Sequence, residues 1–129
     1  MENHEQGRER FSKRLTRNEA EKCMILLPFA IVASSLEFEE GRIFRMDAVD
    51  SLGKAWSFVG MLQKNEELGN CVSVSWPQFA TEKGLKADDE IIFMEKLRRE
   101  GEESWKQIQV RIKRKIRLFG QDIWGELMV

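Results

Sequence analysis

The chain has 129 residues, with 42% hydrophobic and 33% charged side chains and a formal net charge of -1. That is the size and composition of one globular domain with a heavily charged surface. It excludes a uniformly basic nucleic-acid binder, so any electrostatic partner must be read from how the charges are distributed. Cys23 and Cys71 have no near neighbours for a metal site and make no disulfide framework, and both read as small buried hydrophobes. No apolar run approaches the roughly 20 residues that span a bilayer. Met1 to Arg10 is polar, unlike a secretory leader, and an intracellular location is expected.

Residues 1–9, polar and containing Gly7, read as a flexible arm. Phe11, Lys13 and Leu15 alternate with polar residues as a short strand. Thr16 has the chemistry of a helix cap over Arg17–Lys22, with Glu19 at capping-box spacing. Ile25–Leu27 reads as a buried strand stopped by Pro28. From Arg42, Ile43, Arg45 and Asp47 share one parity and Phe44, Met46 and Ala48 the other. A turn over Asp50–Lys54 then returns the chain as a strand, Ala55–Met61, carrying Trp56 and Phe58 on one face. Polar Gln63–Asn70 joins this hairpin to Cys71–Val74.

Ser75, with Gln78 at capping-box spacing and Pro77 in the first turn, predicts a helix that Gly84 ends. Ile91–Met94 reads as a strand and Glu95–Glu103 as a charged turn around Gly101. The last strand shows Ile108, Val110 and Ile112 in alternation with Gln109, Arg111 and Lys113. Phe119–Val129 is an apolar tail, expected to pack back on the body or to serve as a docking segment. The boundaries are thus an arm at 1–9, a domain at 10–118 and a tail at 119–129. Short strands between turn signals, with two short helices, indicate a mainly β barrel or sandwich.

Five pieces in the right order resemble the plant B3 DNA-binding domain family: Phe11-Ser12-Lys13-Arg14-Leu15-Thr16, Leu27-Pro28, the spacing of Asp50, Gly53, Trp56 and Phe58, Trp76 with Phe79, and Lys83-Gly84-Leu85 with Asp89 and Phe93. The resemblance covers roughly residues 11–113. It implies an open pseudo-barrel of about seven strands with two short helices, and a wrench-like grip on the DNA major groove. One jaw is then Thr16, Arg17, Asn18, Glu19 and Lys22, and the other Gln63, Lys64 and Asn65. Two departures matter. Asp88 stands where the family has glycine, which strains that turn, and the segment Gln63-Lys64-Asn65-Glu66-Glu67 stands where relatives place several basic residues.

The residue types suit the task that the resemblance assigns. Arg17, Asn18, Gln63 and Asn65 can each make the paired hydrogen bonds that read base edges. Lys13, Arg14, Lys22 and Lys64 offer charge to phosphates. Arg8–Lys22 holds six basic residues against three acidic ones, and Lys106–Arg117 holds six and no acid, so a near-neutral chain can present positive faces. The plainer reading makes Arg17–Glu19 a solvated helix turn and Gln63–Glu67 a polar hairpin loop. Lys113–Arg117 equally fits a nuclear import signal, a phosphate-binding tail or a soluble strand edge. Trp56, Trp76, Phe58, Phe79 and Phe93 read as core.

An enzyme is not expected. His4 is the only histidine, and neither phosphate-loop nor dinucleotide fingerprints occur. No cofactor or metal is implied. The expected partner is double-stranded DNA, alongside other transcription regulators, with no membrane, in the nucleus. The alternative is a degenerate B3-like module for protein–protein interaction, favoured by the acidic second jaw and the neutral sum.

Overall fold

The computed structural model describes residues 8–32 and 37–128. Among them run eight strands, β1 (Arg8–Arg14), β2 (Met24–Pro28), β3 (Ile43–Val49), β4 (Ala55–Asn65), β5 (Gly69–Ser75), β6 (Glu90–Glu100), β7 (Glu103–Leu118) and β8 (Gln121–Glu126). Three helices accompany them: α1 (Arg17–Lys22), the single turn α2 (Phe29–Val32) and α3 (Pro77–Lys83). The chain divides into two compact units. One comprises the described parts of Met1–Arg14, Asp47–Trp56 and Asp88–Val129, the other Leu15–Met46 and Ser57–Ala87.

In the second unit, β2 and β4 both pair antiparallel with β5, so β5 is the central strand of a ribbon. The register aligns Ile25 with Val74 and Gly60, and Leu27 with Val72 and Leu62. Residues opposite one another share a face, and this one is the core: Ile25, Leu27, Leu62, Val72 and Val74 are fully buried. Trp76, Phe58 and Phe79 close it, their rings 5.1–5.4 Å apart in edge-on and tilted contacts. Gly60 leaves room that a side chain would fill, since a Cβ there would lie 2.7 Å from the Phe44 ring.

Ser75 does not cap α3. Its backbone is held extended between Met24 and Val59 as the last residue of β5, so the cap position passes to buried Trp76, which makes no side-chain cap bond. Pro77 begins the helix and Gly84 ends it at φ 64°, as the sequence indicates.

In the first unit, β6 pairs with β1 on one side and with β7 throughout its length. Phe93, Ile91, Val110 and Ile112 form the buried face. The charged stretch read as a turn is mostly strand: Glu95 to Glu100 pairs residue by residue with Ile108 to Glu103, leaving only Gly101 and Glu102 to turn. The segment after Leu118, read as an apolar tail, contains a strand. β8 pairs with the end of β7 through a tight turn whose two residues, Phe119 (φ 51°) and Gly120 (φ 79°), are both left-handed. Arg8 and Glu9, assigned to the arm, belong to β1.

Two carboxylates tie loops of this unit. Buried Asp50 accepts from the Leu52 and Lys54 amides with Oδ1 and from the Trp56 indole with Oδ2, which fixes the turn between β3 and β4. Asp89, also buried, holds Arg114 through two bonds of 2.8 Å, and this bonding raises the Arg114 pKa from its usual value despite some desolvation. Beside it Asp88 sits at φ 73°, the left-handed conformation in which a glycine is free of strain. Asp88→Gly is therefore expected to stabilise the fold by about 1 kcal/mol, the cost of holding a side chain there. A urea midpoint unchanged or lowered in the variant would show that the turn is unstrained.

Candidate nucleic-acid interface

The first predicted jaw forms around a local device. Thr16 Oγ1 accepts the Glu19 amide at 3.0 Å while Glu19 Oε1 accepts the Thr16 amide at 3.0 Å, the complete capping box expected from the sequence. The other Glu19 oxygen accepts the Leu26 amide, so one carboxylate joins α1 to β2. Glu19 is 4% exposed. It is consequently a scaffold residue, and its charge is not presented with the jaw. The hydroxyl of Thr16 is likewise engaged as a cap acceptor, whereas Arg17, Asn18 and Lys22 are exposed along α1. Cys23 ends the helix in the left-handed region at φ 53°, and its carbonyl accepts the Trp76 amide, which locks the helix end to the ribbon.

The second jaw is the turn between β4 and β5. Gln63, Lys64 and Asn65 are the last residues of β4, opposite Cys71, Asn70 and Gly69. Lys64 is exposed; Gln63 and Asn65 are half-buried. Asn65 Oδ1 accepts the amides of Glu67 and Leu68 at 2.8 and 3.1 Å. That oxygen shapes the turn, and the amide nitrogen is the group left to point at a ligand. Glu66 and Glu67 are exposed at the tip.

The register locates the jaws relative to one another. α1 runs into Met24, which is level with Ser75, while Asn65 is level with Gly69. Six residues of β5 separate those levels, about 20 Å at the rise of a strand. The jaws therefore stand at the two ends of one ribbon, not side by side.

Lys13 and Arg14 belong to the first unit, on β1 opposite Ile91 and Glu90. Arg14 lies over the Trp124 ring at 4.8 Å from its centroid. The basic run Lys113–Arg117 is part of β7, paired with β8. Arg114 is bound to Asp89, and Lys115 and Arg117 lie within 4 Å of Asp122. His4 lies outside the described residues. Cys71 is buried, which raises its thiol pKa, and no group of His, Cys, Asp and Glu among the described residues is arranged to hold a metal ion.

No family model matches the sequence, and no curated protein matches it. A solved structure does match: the Arabidopsis FUS3–DNA complex, at 20% identity and a TM-score of 0.54, over 80% of this chain and 96% of that one. FUS3 is a B3-domain protein.

The fold is the B3 type.

The mainly β pseudobarrel expected from the five sequence pieces is thus the fold found, with α2 and β8 as short additions. Residue-type reasoning places Glu19 in the capping box and Asp50 in the turn, but misses the second bond of each, to the Leu26 amide and to the Trp56 indole. Both partners are distant enough in sequence that spacing does not announce them. Glu19→Ala is expected to lower stability by about 2–3 kcal/mol, because it strips a cap and leaves the Leu26 amide without its acceptor. Urea unfolding measures this; a loss under 0.5 kcal/mol would contradict the scaffold role.

Proposed function

We propose that this chain binds double-stranded DNA sequence-specifically in the major groove and acts as a nuclear transcription regulator. The observation that carries the reading is the ribbon β2–β5–β4, which holds α1 and the β4–β5 turn about 20 Å apart, a span suited to straddling a groove about 12 Å wide. A B3-type protein solved on DNA shares the fold, and this supports the same reading.

In this reading, Arg17 and Asn18 read base edges from one end of the ribbon. Gln63 and the Asn65 amide nitrogen do so from the other. Lys22 and Lys64 position the duplex through phosphates, as does the Thr16 hydroxyl, which accepts the Glu19 amide and keeps its own proton to donate. Glu66 and Glu67 oppose the approach of phosphate at the second end, so affinity is set mainly by the first.

Selection from a randomised duplex pool tests this. An enriched motif is expected, with each phosphate contact adding about 0.9 to the slope of log affinity against log salt. Arg17→Ala relaxes the preference at one position, costing about 1–3 kcal/mol there, while Lys22→Ala weakens all sequences alike. Failure to enrich any motif at low salt would overturn the reading and leave protein interaction as the role of the exposed turn.

A further inference from the structure

The outer face of the ribbon, between the two ends, has a composition that neither jaw accounts for. Opposite residues in the register share a face, so Met24, Ser75 and Val59 form one row across the three strands, and Leu26, Ser73 and Met61 the next. All six lie on the parity that points away from the buried core residues Ile25, Leu27, Val72, Val74 and Leu62. Val59 is 53% exposed and Ser75 is exposed, while the other four are half-buried. The patch measures about 10 Å across the strands and about 7 Å along them. It holds two hydroxyls and four apolar side chains, and no charge or amide.

This patch is continuous with the proposed interface. The helix α1 leads directly into Met24 at its first row. On the other side the same parity of β4 runs on from Val59 and Met61 to Gln63 and Asn65. Beyond the second row the face closes: Cys71, next on β5, is fully buried, and α2 packs on β2 and β5. The open rows adjoin the α1 end, where the DNA reading above puts the duplex.

We infer that this floor reads thymine through its C5-methyl group, so that the bases between the jaws are thymine-rich. The inference rests on the DNA reading above. Its chemistry is that of matching surfaces. A cytosine amino group or guanine oxygen pressed on Val59 or Met61 loses water and gains no partner, whereas a thymine methyl gains apolar contact. Ser73 and Ser75 accept or donate, so they tolerate the thymine and adenine edges on either strand. Burial of one methyl is worth about fourfold in affinity.

The test uses the full chain and the duplex recovered from the pool selection, with single thymines replaced by deoxyuridine, which removes the C5-methyl and nothing else. The expected result is a loss of about fourfold at one or more positions between the bases read by Arg17 and Gln63. The variant Val59→Thr with Met61→Gln is expected to bind thymine and uracil duplexes equally, with circular dichroism showing the fold intact. Replacing a cytosine of that stretch by 5-methylcytosine restores part of the contact. An enriched motif in which uracil binds as well as thymine at every position overturns the inference and leaves the DNA reading standing. If no motif is enriched, the parent reading fails, and this one with it.

Discussion

The pairing of β2 and β4 on either side of β5 is the constraint from which the candidate interface follows. Because side chains alternate along a strand, a one-residue slip would turn Ile25 and Leu27 of β2, or Val72 and Val74 of β5, out to solvent. At roughly 1.5–3 kcal/mol for each buried aliphatic side chain, such a slip forfeits about 3–6 kcal/mol, a large share of the stability of a typical domain. The register is thereby fixed, and with it the length of β5 between α1 and the β4–β5 turn. Neither end has to be positioned by its own loop. Each is placed by the core beneath it and then shaped by a short device: the capping box with its Leu26 link at one end, and the Asn65 turn at the other.

Carboxylates in this chain divide into those that build and those that face water, and the division changes the electrostatic account. Glu19, Asp50 and Asp89 are buried, with backbone amides, an indole or a guanidinium as partners. The α1 end consequently presents Arg17 and Lys22 with the nearest acid of the helix start turned inward, while Glu21 remains exposed. The β4–β5 end keeps Glu66 and Glu67 exposed beside Lys64. Two ends that look alike in residue type differ in field, and the weaker one retains directed hydrogen bonds with little attraction for phosphate.

Much of this was legible in the sequence wherever a local signal and the global fold agreed. Thr16 and Glu19 are three residues apart and their box closes within one turn, so spacing alone gave helix α1 its bounds. The parity of Ile43–Ala48 likewise separates the two faces of β3, and the one carrying Met46 and Ala48 is buried. Asp88 was marked as a strained position by what it replaces, and its φ is left-handed. Where long-range pairing decides, local signals mislead. Ser75 has every attribute of a cap but is claimed by two neighbouring strands. Lys96–Glu100 looks like a solvated turn because charge on both faces of a two-stranded ribbon conceals alternation. The hairpin of β7 and β8 escaped notice because its turn begins with Phe119, a bulky residue in a conformation usually given to asparagine or glycine. Side-chain roles were the least readable: nothing in the sequence says that the Asn65 oxygen is committed to its own turn.

The central claim is that both ends of the ribbon engage one duplex together. Its most direct test is an amide-resolved NMR titration of the isotopically labelled chain with a duplex recovered by selection. The account predicts that the amides of Arg17–Lys22 and of Lys64–Gly69 shift with the same saturation curve. Shifts confined to one end, or different saturation curves at the two ends, would contradict it.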